Sequence, residues 1–186
     1  MEELLGVLIG IGLSATCGFR IFVPLLGMGI AYRAGALNFA SGFDWIGSWP
    51  AMVAFGIAMV LEIAAYYIPW LDNMLDTIAT PAAVVAGTIA TASMVSDVSP
   101  FIRWTLAIIA GGGVAGLIQG SSVAVRGVSA ASTGGIGNPV VSTGELIASI
   151  LGTIISILLP YLAIVLVALL LSLIMRRISK PRQPIQ

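Results

Sequence analysis

The chain has no histidine, one cysteine and one lysine, and only 9% of its 186 residues are charged. Without imidazole there is no Ser-His-Asp or Cys-His set, no His-containing zinc or haem site, and no side chain that ordinarily titrates near neutrality. Cys17, the lone cysteine, cannot form an intramolecular disulfide. Lys180, the lone lysine, sits in the tail and leaves no Ser-Lys dyad in the apolar body. Eight basic and eight acidic residues cancel, so there is no basic footprint for nucleic acid. Gly111–Gly113 are not followed by Lys-Ser/Thr and make no phosphate loop. These absences predict a protein that is not an enzyme and has no catalytic residue, metal or cofactor.

What is present is hydrocarbon: 59% of residues are hydrophobic and the mean hydropathy is +1.08. Soluble domains carry about 25% charged residues. Charge this sparse cannot cover a water-facing surface, so the chain reads as an integral membrane protein. A span needs about 20 apolar residues, and the charge-free runs place spans near 4–22, 51–68, 77–96 and 103–122. A longer segment, 143–175, would extend about 50 Å as a helix. Pro160 either kinks it or turns the chain between two short spans. The expected fold is all-α, a polytopic membrane helix bundle of five or six spans in one domain, 1–186. With six spans both termini share a side. The acidic start, "MEELLG", is no signal peptide, and its apolar run is taken as the first span. The stretch 127–144, small and polar, reads as a loop or protein-lined re-entrant segment.

Capping side chains with proline in the first turn mark helix starts at Ser48/Pro50, Thr80-Pro81, Ser99-Pro100 and Asn138-Pro139. Pro24 and Pro69 add breaks. Trp45, Trp49, Trp70 and Trp104 lie near span ends, as interfacial aromatics do. Arg176, Arg177, Lys180 and Arg182 form the one dense basic cluster, which puts the C-terminus and a basic tail, 179–186, in the cytoplasm.

The polar groups inside apolar sequence carry the functional question. Arg20, in "CGFRIFVPLLG", either ends the first helix and snorkels to head groups, or projects into a protein-lined cavity where Gly18, Pro24 and Gly27 break the helix. A buried arginine needs a carboxylate or an anionic ligand. The acids are concentrated in "LEIAAYYIPWLDNMLDTIATP", which holds Glu62, Asp72 and Asp76. Glu62 falls inside the second span with Tyr66 at i+4, and Asp72 and Asp76 are also at i, i+4. That spacing suits oxygen ligation of a hard cation or salt bridges to Arg20 and Arg126. Asp72 and Asp76 equally suit the first turns of an interfacial helix. Asn138-Pro139, after a Gly-rich loop and before Glu145, starts a helix whose free amides suit an anion or ordered water.

"GSWPAMVAFG…YYIPWL" can be laid against "GNPVVSTGE…LLPYL", and "GLSATCGFRIFVPLLG" against "GVAGLIQGSSVAVRG", giving pseudo-repeats over 1–98 and 99–178. Three spans per half would make them inverted, an arrangement common in transporters. The blocks "CGFRIFVPLL", "GSWPAMVAFGIAMVLEIAAYYIPWLDNMLD" and "GNPVVSTGE", in this order, resemble the bacterial membrane-protein family catalogued as domain of unknown function 4126. The resemblance implies a compact multi-pass protein of the bacterial cytoplasmic (inner) membrane and no particular activity. Its block residues here are Arg20, Pro24, Trp49, Pro50, Glu62, Pro69, Asp72, Asp76, Asn138 and Pro139.

Three functions fit these residues. The first is a small transporter or channel, with Arg20, Glu62, Asp72, Asp76, Asn138 and Glu145 lining a path for an ion or small polar solute. The second is a structural or accessory protein locked by buried salt bridges. The third is lipid head-group handling. The bilayer is the expected partner, together with a homodimer through Gly-rich helix faces.

Overall fold

The computed structural model describes residues 2–179, excluding the side chains of residues 2, 69, 70, 72, 73 and 178. The basic tail beyond 179, with Lys180 and Arg182, lies outside the described residues.

The chain folds into helices joined by short turns, with no strand among the described residues. A hairpin opens it: α1 (Glu2–Cys17) and α2 (Phe22–Arg33). A loop and a short 3-10 turn, Asp44–Gly47, lead to α3 (Trp49–Tyr66) and α4 (Pro69–Met94). One continuous 34-residue helix, α5 (Pro100–Thr133), follows; then come α6 (Asn138–Leu158) and α7 (Pro160–Ile178). The helices α3 to α7 are each long and apolar enough to cross a membrane, whereas α1 and α2 are shorter. This is an all-α multi-pass membrane protein.

Glycine and hydroxyl spacing sets the core. Gly6, Gly10 and Ser14 recur every fourth residue on α1, so one small face meets α4. A β-carbon on Gly10 would come within 2.9 Å of the Thr91 backbone, and Ser14 Oγ donates to the Gly87 carbonyl at 2.5 Å. Small residues let backbones approach where lipid offers no hydrophobic drive. The same logic holds α4 to α5. Residues Ala107–Gly112 widen into a π-type turn, bringing Gly111 and Gly112 against Gly87, Thr88 and Val84. Ala79, Ala83, Ala86 and Ala90 make α4 the small-faced centre of the bundle.

The order of these contacts gives the topology. Along α1, Gly6, Gly10 and Ser14 meet Met94, Thr91 and Gly87, so α1 and α4 are antiparallel. Thr16 meets Ser149 and Thr153, and Gly12 meets Ser156, so α1 also opposes α6. In α2, Arg20 just before it meets Ser142 while Gly27 meets Thr153, so α2 runs with α6. The hairpin therefore enters and leaves by one face of the bundle, with Gly18–Ile21 at its inner tip. The five helices long and apolar enough to cross a membrane follow it. The described N-terminal end and the C-terminal end of α7 thus lie at opposite faces.

Several sequence expectations are corrected. The first helix ends at Cys17 rather than near 22, and Pro24 sits in the first turn of α2, where its missing N–H leaves no bond unmade. Thr80-Pro81 is no helix start. Pro81 lies inside α4, and the hydroxyl of Thr80 donates to the Asp76 carbonyl at 3.0 Å. The stretch 127–144 is mostly helix, broken only around Gly134–Gly137, where Gly134 and Gly135 take positive φ. Of the five or six spans expected, five helices, α3 to α7, are long and apolar enough to cross, and the two termini expected to share a side with six spans lie at opposite faces. Pro160 marks a tight turn, with α6 ending at Leu158 and α7 starting at Pro160. Ser48 and Ser99 cap as expected, accepting from Ala51 N at 3.3 Å and Ile102 N at 3.4 Å. Trp45, Trp49 and Trp104 stand outward at the face bearing the N-terminus, and Arg33 stacks 4.4 Å from the Trp49 ring centroid.

Candidate functional site

The hairpin tip delivers Arg20 among side chains of α3, α4, α5 and α6, and the arginine is 1% exposed. Its Nη2 donates to the Ser142 carbonyl at 2.8 Å and to the Ser142 hydroxyl, and lies 3.5 Å from Glu145 Oε2. Arg126 of α5 is equally buried. Its Nη2 lies 3.0 Å from Asp76 Oδ1, and its Nε lies 3.6 Å from Glu145 Oε1. Glu145 therefore bridges two arginines. The Tyr66 ring serves both as well, with the guanidinium carbons of Arg20 and Arg126 at 4.1 and 4.3 Å from its centroid. Its hydroxyl donates to Asp76 at 3.4 Å. The result is a dry, cross-linked cluster of two cations, two anions and one aromatic ring.

Glu62 does a different task. Its two oxygens accept from the backbone amides of Ile21 at 2.9 Å and Phe22 at 3.2 Å. It is the cap that Ile21, with no side-chain acceptor of its own, does not supply to α2. A carboxylate there meets both the free amides and the positive end of the helix dipole. Glu62 thus holds the tip that carries Arg20.

The sequence-predicted residues separate accordingly. Arg20, Asp76 and Glu145 come together, with Arg126 completing the set. Glu62 sits beside them through the backbone. Asn138 is buried at the start of α6 one turn before Ser142, but the cap position is Gly137, which makes no side-chain cap bond. Asp72 lies in α4, its side chain outside the described set. Arg20 meets Glu145 and Ser142 rather than Glu62 or Asp76, because the hairpin brings the tip against α6, while the expected bridge from Asp76 to Arg126 is present. Arg20 neither snorkels nor lines either cavity beside the cluster; Glu145 does line one.

Four residues escaped the sequence reading: Ser142, Ser149, Thr153 and Ser156, which with Asn138 and Glu145 are all buried on α6. Their spacings of three and four were the available signal: one polar stripe on an otherwise greasy helix. Ser149 Oγ donates to the Thr16 carbonyl at 3.2 Å and Thr153 Oγ1 to Thr16 Oγ1 at 3.3 Å. Ser156 Oγ donates within α6 to Gly152 at 2.6 Å. On α5, Gln119, Ser122 and Arg126 repeat the pattern, all buried.

Fold and site together define a multi-pass α-helical membrane protein with a buried ionic cluster at the tip of a helical hairpin. The chain belongs to the family described as "Domain of unknown function (DUF4126)", whose model matches residues 7–180. No curated protein and no solved structure matches it.

Proposed function

We propose that this protein is a small transporter or channel, and that the Arg20–Arg126 cluster binds a small ion or polar solute bearing acceptor oxygens. The observation that carries the reading is a set of buried polar atoms without a hydrogen bond: Arg20 Nε and Nη1 and Gln119 Nε2 among the donors, and Glu145 Oε1 and Oε2, held by ion pairs at 3.6 and 3.5 Å, among the acceptors. A buried donor left unmade costs about 1–3 kcal/mol, and an acceptor entering the cluster relieves that cost. Ionisable residues inside membrane helices are functional by default. The hydroxyl stripe of α6 extends the polar surface from Glu145 toward the face bearing the N-terminus. The pair α3–α4 crosses in the opposite sense to α6–α7, each joined at a proline, Pro69 or Pro160, which fits an inverted repeat. We place the protein in a bacterial cytoplasmic membrane with the Arg176–Arg177 end cytoplasmic.

A second reading, a structural lock, is favoured by the bond of Arg20 to the Ser142 carbonyl at 2.8 Å and its ion pair with Glu145 at 3.5 Å. Proteoliposomes separate the two. Transport expects flux of a pyranine-reported proton or a radiolabelled small anion above empty vesicles, abolished by Arg20→Ala with the fold retained. The lock expects wild-type flux equal to empty vesicles and a loss on Arg20→Ala of about 3–5 kcal/mol, as for a broken buried pair.

A further inference from the structure

A lateral groove runs beneath α7, separate from the ionic cluster except at Glu145. A cavity of about 660 Å³ lies between α5, α6 and α7, bounded at one end by Arg177 and walled by Val141, Leu173 and Glu145. A second, of about 280 Å³, continues it along α1 toward Ala163. The two share Phe19, Ala148 and Leu170, so they adjoin at these residues. From Ala163 to Arg177 the groove follows α7 for about 21 Å, somewhat more than the roughly 15 Å of one leaflet's hydrocarbon. Its walls are almost wholly apolar, and it is open on one side. Water does not settle in such space, for want of polar partners. An empty groove forfeits dispersion contacts on both walls. In a bilayer the filler at hand is an acyl chain.

Charge decides which lipid. Arg176 and Arg177 stand exposed where the groove ends, at the level of a head group for a chain lying along α7. A guanidinium favours a phosphate with net negative charge over a zwitterion. We propose that the groove is a binding site for one anionic phospholipid, its acyl chain beneath α7 from Ala148 to Ala163 and its phosphate on Arg177. The tail then covers Glu145 and keeps water from the Arg20–Glu145–Arg126 bridge. This site does not depend on transport, because its test reads lipid rather than flux.

The test is native mass spectrometry of the full chain in detergent, with phosphatidylglycerol and phosphatidylcholine added in equal amount. The expected result is one phosphatidylglycerol retained per chain, at least tenfold over phosphatidylcholine. Ala148→Trp, which blocks the junction of the two cavities, is expected to lower retention of either lipid tenfold or more. Leu173→Trp, at the wider lobe and half exposed, supplies the same block if the first variant does not fold. Arg177→Gln is expected to keep lipid bound but reduce the preference for phosphatidylglycerol about fivefold or more. Equal retention of the two lipids by the wild type overturns the proposal. So does unchanged retention in a folded groove-blocked variant, or a lipid-free dimer whose second copy covers the groove.

Discussion

At the scale of single residues, Tyr66 joins the cluster with its ring more than with its hydroxyl. Two guanidinium carbons lie within 4.3 Å of the ring centroid, and the hydroxyl reaches Asp76 at a long 3.4 Å. Tyr66→Phe is therefore expected to change stability by less than about 1 kcal/mol, and Tyr66→Leu to cost about 2 kcal/mol or more through lost desolvated cation–π contacts. Denaturant titration in detergent measures both, and equal losses would refute the ring's role. Glu62→Gln keeps one acceptor for two amides. It is expected to cost about 1–3 kcal/mol and to loosen the hairpin tip, read as faster hydrogen exchange at Ile21 and Phe22. The sequence marked Arg20, Glu62, Asp76 and Glu145 as out of place in lipid, because charge is costly there whatever the fold. It did not reveal that Glu62 serves a backbone, since a capping carboxylate 40 residues away leaves no local spacing to read.

At the scale of elements, close approach separates one glycine from the next. A β-carbon on Gly111 would meet the Gly87 carbonyl at 2.6 Å, whereas one on Gly113 meets open space. Gly111→Ala is expected to destabilise α4–α5 packing by about 1–3 kcal/mol. Gly113→Ala is expected to be neutral or to stabilise by up to about 1 kcal/mol. Thermal unfolding of the two variants side by side checks this. The hydroxyl stripe of α6 invites a similar contrast. Hydroxyls within membrane helices contribute on average only about 0.6 kcal/mol, so Thr153→Val is expected to leave the fold intact. If transport runs along the stripe, the same variant lowers proteoliposome flux severalfold. The helix starts at Ser48 and Ser99 were legible because capping is local chemistry. The helical run through Pro81 was not, because a proline is tolerated in mid-helix when neighbours absorb the lost bond.

At the scale of the whole molecule, the hairpin makes the topology odd-numbered. With Cys17 replaced by alanine, single cysteines at Glu3 and Ser179 are expected to react with a membrane-impermeant maleimide from opposite sides. Labelling of both from one side would refute the antiparallel arrangement of α1 and α2. The tightly packed, small-residue contact of α1 with α4 makes the first outcome the physical expectation: the hairpin is anchored along its length, and its tip is tied by Glu62 and Ser142.

Membrane residence, the helical class and the residues that cannot rest in lipid follow from composition and periodicity. Those properties depend on how each residue partitions between water and hydrocarbon, not on its neighbours. Which arginine meets which acid depended on the fold. Arg20 and Glu145 stand 125 positions apart in the chain, and only the return of the hairpin against α6 brings them to 3.5 Å. The relative direction of the helices was decided in the same way. Apolar length shows that a helix can enter a bilayer, whereas the contacts of α1 with α4 and α6 show which way it runs.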